Sequence, residues 1–171
     1  CIAMQSTTQS RYWNREGAWK DLFSRLRKSG LTPICLDQYN SFGTENYFNN
    51  LHHSCVDRTG LPLEEVIQYL HHCEFFIGLS TGLSWIAHAT KKHVVLISGS
   101  THDWCEPQKD ITRIINKSVC HGCFNEPDKT PFNPHDWLWC PHNSGTPDQF
   151  ICSKSITPDY VWSEMKKNNL I

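Results

Sequence analysis

The chain has 171 residues, about the size of one domain, with seven tryptophans for a core. A formal net charge of −1 offers no basic field for nucleic acid or an anionic membrane, and no apolar run reaches the roughly 18 residues of a bilayer span. Nine cysteines is an odd number, which excludes a complete set of intrachain disulfides.

The first residues, Cys-Ile-Ala-Met, lack an initiator methionine and a basic leader, which predicts a piece of a longer protein. Cys1 to Met4 reads as a short apolar strand running into the polar loop Gln5 to Ser10. Trp19, Leu22, Phe23 and Leu26 then share one face of a helix over about Arg15 to Ser29, capped by Gly30. Thr32 to Leu36 predicts a second strand ending at Asp37. The stretch from Gln38 to Thr59, polar and rich in Asn and His, reads as a loop with one helical turn.

Pro62 opens a helix in which Val66, Ile67 and Leu70 share a face. Phe75 to Leu79 and Val94 to Ile97 are continuous apolar runs, as expected of strands buried on both faces, with a short helix over Trp85 to Thr90 between them. The β-α-β-α order argues an α/β fold: a Rossmann-like parallel sheet with flanking helices. After about Thr112 the pattern changes, and Cys120 to Cys152 shows no sustained period. A last helix begins at Thr157 as cap and Pro158 as first residue, with Ile156 stapled onto Val161. The expected units are 1–115, a nucleotide-sugar-binding sheet; 116–156, an irregular metal finger; and 157–171, a helix packing back on the sheet.

The finger rests on Cys120-x2-Cys123-x16-Cys140-x11-Cys152. A C-x2-C knuckle brings two thiolates onto one turn, which Gly122 allows to be tight, and two further cysteines complete a tetrahedral set. Disulfides or free thiols are the alternatives, and His121, His135 or His142 could each replace one cysteine. Spacing does not choose between zinc and iron, but four protein ligands leave no open position, so the role is structural. Of the other cysteines, Cys1, Cys35 and Cys73 lie beside apolar runs and read as small core residues.

Ligands of open parallel sheets bind at the carboxyl ends of the strands. Three such ends carry small polar residues: Ser6-Thr7-Thr8 with Arg11 following, Ser80-Thr81-Gly82-Leu83, and Ser98-Gly99-Ser100-Thr101. Hydroxyls and helix-start N–H groups form a cradle for phosphate oxygens, Arg11 supplies positive charge, and Asp37 is placed as an acceptor for ribose hydroxyls. Neither GxGxxG nor a Walker pattern occurs, so dinucleotide binding and P-loop hydrolysis have no support.

Ser6-Thr7-Thr8-Gln9-Ser10-Arg11-Tyr12-Trp13-Asn14, Phe75 to Ala87, and the three cysteine segments Cys120 to Phe124, Asp136 to Pro141 and Cys152 to Pro158 together resemble the bacterial autotransporter heptosyltransferase family. The resemblance covers nearly the whole chain and is most specific in the cysteine segment. It implies the C-terminal, donor-binding half of a GT-B glycosyltransferase. Such an enzyme moves heptose from ADP-heptose to serines of an autotransporter adhesin in the bacterial cytoplasm, and its members form large oligomers. It implies a structural ferric ion on the four cysteines, zinc being the alternative. By position, Ser6, Thr7 and Arg11 contact the donor phosphates, while Ser80, Thr81, Gly82 and Leu83 line the diphosphate and sugar pocket. Arg11 stands where the broader heptosyltransferase pattern has lysine, and Ser80 and Trp85 stand at its Asp and His positions.

The family's catalytic base is an aspartate of the other domain, so the resemblance implies donor binding here and no transfer by this chain alone. It also implies that the cysteines shape the chain's tail while the donor sits some distance away at the Ser6 and Thr81 loops. A second reading is a metal-stabilised interaction or oligomerisation module, docking through Trp137 and Trp139. A nucleic-acid finger fits poorly with Glu126, Asp128 and Asp136. His71 and His72 close a helix, where its dipole favours partial positive charge, and neither they nor His52 and His53 point to a second metal site.

Overall fold

The computed structural model describes residues 1–171, the side chain of Glu45 excepted. Six parallel rungs form its sheet. Ile2 bridges Cys35 of β1 (Ile34–Cys35) on one side and Ile77 of β5 (Phe76–Leu79) on the other. Strand β1 pairs outward with β4 (Val56–Asp57); β5 pairs with β6 (Val94–Ile97), and β6 with β7 (Ile111–Ile114). Counting the Ile2 segment as the first rung, the order is 3-2-1-4-5-6, the doubly wound Rossmann arrangement. The order reverses between Ile2 and β5, so the loops leaving those two rungs flank the crevice where such sheets bind ligands.

Why the rungs lie in the middle is visible in their sequence. Every residue of β5 and β6 is buried, as continuous apolar runs facing helices on both sides require. One face packs on α1 (Ala18–Lys28), through Leu22, Phe23 and Leu26, and on α5 (Pro158–Lys167), through Val161 and Met165. The other carries α2 (Leu63–His72) and α3 (Gly82–Ala89), packed through Val66, Leu70 and Ala87. Thr157 caps α5 by accepting from the Tyr160 N–H at 3.1 Å, and Ile156 and Val161 are both fully buried, as the sequence predicts.

The segment read as a loop, Gln38 to Thr59, contains more than that. It holds the antiparallel hairpin β2 (Ser41–Phe42) and β3 (Asn49–Asn50), and then β4. Each of these strands is two residues long, too short for alternation to register. Strand β7 was likewise missed. Its alternating burial, with Thr112 and Ile114 inward, marks a sheet edge rather than a centre.

Cys35 is fully buried, whereas Cys1 and Cys73 are half-buried beside the α2 face. The segment 120–150 is built mainly of turns, and α4 (Ile151–Lys154) follows it. No helix is long and apolar enough to cross a membrane.

Candidate functional site

Arg11, Ser80, Thr81, Gly82, Trp85 and Thr101 meet in one hollow of about 230 Å³, at the strand ends beside the switch point. All three polar loops of the sequence analysis thus contribute to its surroundings. The loop after the Ile2 rung turns through Gln9–Arg11 and delivers Arg11. Helix α3 starts at Gly82, so its free N–H groups open on the hollow, where its dipole favours negative charge. A larger hollow of about 550 Å³ lies between α1 and the β2–β3 hairpin, but its wall includes none of these strand-end hydroxyls.

Two atoms distinguish the smaller hollow. The Arg11 Nε and the Thr81 Oγ1 are buried, and neither has a hydrogen-bond partner; Ser6 Oγ in the neighbouring loop shares that condition. Buried polar groups are nearly always satisfied, because leaving one unpaired costs about 1–3 kcal/mol. Thr81 precedes α3 without capping it, so its hydroxyl is free to donate elsewhere. Burial pulls the Arg11 guanidinium below its ordinary pKa, and the Glu106 carboxylate opposes that.

Ser6, Thr7 and Leu83 do not line the hollow: Thr7 is exposed and Leu83 packs into the α2–α3 core, while Gly82 is exposed at the helix start. Asp37 does not line the hollow. It is 2% exposed, and its carboxylate accepts from the Met4 N–H at 2.6 Å and the Gln5 N–H at 3.2 Å. The ribose acceptor expected there is instead a strut that ties the end of the first rung to β1. Burial pushes its pKa up to about 6, although those N–H groups favour the charged form.

Two residues escaped the sequence reading. Glu106 is 3% exposed, and its Oε1 accepts from the Thr101 hydroxyl at 3.0 Å and from the Ser80 hydroxyl. Arg113 on β7 donates to Ser98 Oγ at 3.0 Å and to the Thr101 carbonyl at 2.6 Å. Together they fix the loop after β6. A lone Glu in an irregular stretch gives no periodic signal; Arg113, flanked by Thr112 and Ile114 in a short apolar strand, is the more legible of the two.

The cysteine segment is not remote from the hollow, contrary to the sequence expectation. Phe124 and Asn125, directly after Cys123, form part of its wall. The Gly122 N–H donates to the Gly99 carbonyl at 2.9 Å and the Phe124 N–H to the Ser100 carbonyl at 2.8 Å, so the knuckle is hydrogen-bonded to the loop after β6. The Trp137 carbonyl accepts from the Gln9 N–H at 3.0 Å and the Thr8 hydroxyl at 3.2 Å, which ties the same segment to the Arg11 loop. Trp139 is buried, edge-on to Phe124 and Phe132, and is therefore core of the finger rather than a docking surface.

Cys120, Cys123, Cys140 and Cys152 lie within electrostatic reach of one another. Burial first, and then the three other thiols, push Cys152 up to about 12; Cys123 rises to about 12 for the same reasons, with Cys140 and Cys120 as its neighbours. N–H groups are aimed at the sulfurs, from Asn143 to Cys120 at 3.2 Å and from the Phe150 backbone to Cys140 at 3.5 Å. Among the described residues no group of three or more His, Cys, Asp or Glu side chains is placed to hold a metal ion. Four thiols, two of them met by N–H donors, have the chemistry that a tetrathiolate site uses, but their arrangement here is not that of one.

No family model matches the chain. The autotransporter heptosyltransferase TibC of Escherichia coli O78:H11 is 39% identical over 161 residues, which are 92% of this chain and 38% of that protein. An autotransporter heptosyltransferase of Citrobacter rodentium is 38% identical over 94% of this chain and 39% of its own length. The crystal structure of the iron-containing dodecameric glycosyltransferase TibC superposes with a TM-score of 0.92 at 38% identity, covering 99% of this chain and 44% of that one. This chain is homologous to a part of the autotransporter heptosyltransferases.

It spans about two fifths of the length of these curated relatives. A more distant relative in Burkholderia thailandensis, 31% identical over 94% of this chain and 38% of its own length, is an inactive autotransporter heptosyltransferase. TibC has also been solved in complex with ADP-D-β-D-heptose. E. coli ADP-heptose lipopolysaccharide heptosyltransferase II shares the fold, with a TM-score of 0.65 at 14% identity, over 99% of this chain and 45% of that one.

Proposed function

We propose that this chain is the donor-binding half of a GT-B heptosyltransferase that transfers heptose from ADP-heptose to serines of an autotransporter adhesin in the bacterial cytoplasm. The observation that carries this reading is the pair of unpartnered buried polar atoms, Arg11 Nε and Thr81 Oγ1, on residues lining one hollow at the topological switch point. A diphosphate satisfies both: Arg11 donates to one set of oxygens, while the Thr81 hydroxyl and the α3 N–H groups donate to the other, and Ser80, whose hydroxyl donates to Glu106, lines the wall beside them. Ser6 and Thr7 belong to the rim on the Arg11 side. The TibC complex with ADP-heptose supports the choice of donor.

Transfer requires a base within hydrogen-bond reach of the acceptor hydroxyl. Glu106 is occupied by Ser80 and Thr101, and Asp37 by backbone N–H groups. As the resemblance to the family implies, the base and the acceptor site belong to the other half of the enzyme, and this chain alone binds donor without transferring it. The same halves assemble into a homo-oligomer in the full enzyme, as the dodecameric TibC suggests.

Cys120, Cys123, Cys140 and Cys152 hold one structural ferric ion, a choice supported by the iron in TibC; zinc is the alternative. When bound, the ion supplies cross-linking and no chemistry. The chain thus divides into the sheet (1–115), the finger (116–156) and the last helix (157–171), with the finger belonging functionally to the donor site.

The test is thermal protection and calorimetry of the metal-loaded chain with ADP and ADP-heptose. Saturable binding that weakens at least tenfold in Arg11→Ala supports the reading; indifference of the metal-loaded chain to both ligands overturns it. A mass shift of an acceptor peptide treated with this chain and ADP-heptose would overturn the assignment of the base to the other half.

A further inference from the structure

The guanidinium carbon of Arg11 lies 3.8 Å from the centroid of the Phe124 ring. This is a close cation–π stack between the first loop of the sheet and the finger. It is not a chance surface contact. Phe124 is itself clamped edge-on by Phe132, with ring centroids 5.0 Å apart, and by Trp139 at 6.3 Å. Its backbone N–H is tied to Ser100 at 2.8 Å. The ring therefore cannot follow Arg11; Arg11 must conform to the ring.

Arg11 has few other restraints. Its Nε is buried without a partner, and among the described residues no carboxylate forms an ion pair with it. A long side chain with a free fork loses rotamer freedom on binding an anion unless something has already ordered it. A planar guanidinium stacked on an aromatic face is ordered in its plane and keeps its edge N–H groups free for a bidentate contact.

We propose that Phe124 is a positioning residue for the nucleotide diphosphate: it pre-orders Arg11, so that part of the donor affinity originates in the cysteine finger. This rests on the donor-binding reading above. Phe124 acts through Arg11, so its effect should follow the phosphates of the ligand and not the nucleoside. It also gives the finger a part in donor recognition beyond holding the fold.

The experiment measures ADP, inorganic pyrophosphate and adenosine binding to the metal-loaded chain and its variants by calorimetry. Phe124→Leu should weaken ADP and pyrophosphate roughly fivefold and leave adenosine unchanged. Phe124→Tyr, which keeps a ring under the guanidinium, should restore most of the loss. In an Arg11→Ala background, Phe124→Leu should cost nothing further. Equal ADP affinity in wild type and Phe124→Leu overturns the proposal while leaving the donor site standing. So does an equal loss for adenosine, or a loss that persists undiminished in the Arg11→Ala background. If Phe124→Leu does not fold, failure of a folded Phe124→Tyr to retain ADP affinity near wild type overturns it as well. Absence of ADP and pyrophosphate binding by the wild-type chain overturns the donor-binding reading itself, and the proposal with it.

Discussion

The Gly122 N–H donates to the Gly99 carbonyl at 2.9 Å, joining the middle of the cysteine knuckle to the end of a central strand. Through this bond and its neighbour from Phe124 to Ser100, the state of the four cysteines reaches the loop that forms one side of the ligand hollow. The consequences can be measured separately.

Removing the metal should dismantle the hollow as well as the finger. The segment 120–150 is mainly turns, and in the proposed reading the metal is the cross-link that holds it. Chelation, or Cys123→Ser, is expected to lower the melting temperature by several degrees and to weaken ADP binding at least tenfold. Differential scanning fluorimetry with and without ADP checks both. Unchanged ADP protection in the metal-free chain would show that the finger is only an appendage.

Gly122 has φ +77°, and a Cβ on it would run into the His102 ring. The His102 backbone N–H is held by Asn125 Oδ1 at 2.8 Å, and moving the ring aside breaks the 3.4 Å contact of its Nε2 with Glu126 Oε1. Gly122→Ala should therefore cost about 1–3 kcal/mol, or about 5 °C in melting temperature. Gly145 is also left-handed, at φ +70°, but nothing lies near its missing Cβ, so Gly145→Ala should cost less.

Glu106 accepts from both Ser80 and Thr101 with a single oxygen. Glu106→Ala leaves the Ser80 hydroxyl without its acceptor and leaves Thr101 only Ser98 Oγ at 2.7 Å, at a cost of about 1–3 kcal/mol. Glu106→Gln keeps a carbonyl oxygen in place and should lose less. Urea denaturation of the two variants tests the order, and equal losses would contradict it.

Asp37 makes stability depend on pH. Its folded pKa of about 6 lies above its ordinary value of 3.8, so the folded state holds the proton more tightly. The associated stability is fully present below pH 4 and is lost as pH rises through 6, by up to about 3 kcal/mol. Asp37→Asn carries no such charge. The deficit of the variant relative to wild type should therefore shrink between pH 4 and pH 7, as read from melts across that range. A constant deficit would mean that Asp37 is charged throughout.

Much of the fold could be read from the sequence where one interaction dominates. The apolar runs of β5 and β6, the amphipathic face of α1 and the Thr157-Pro158 helix start are local signals, and each stands where expected. Strands β1 and β4 owe their pairing to partners distant in sequence, and β2 and β3, a local hairpin, are two residues each, so only the apolar run at β1 announced itself. The site was legible to the same degree. Arg11 and Thr81 follow from the rule that strand ends bind ligands. Phe124 lines the hollow and Glu106 braces two of its wall residues through tertiary contacts, and no spacing in the chain encodes their approach. Asp37 shows the opposite failure: its position at a strand end was read correctly, but its carboxylate faces backbone N–H groups instead of the hollow.

The most direct test of the account is isothermal titration of the metal-loaded chain with ADP, repeated with Arg11→Ala and Thr81→Val. The account predicts one saturable site whose affinity falls at least tenfold in each variant, because each removes a donor that only the ligand can satisfy. Absence of ADP binding by the wild-type chain, or binding that neither variant weakens, would contradict it.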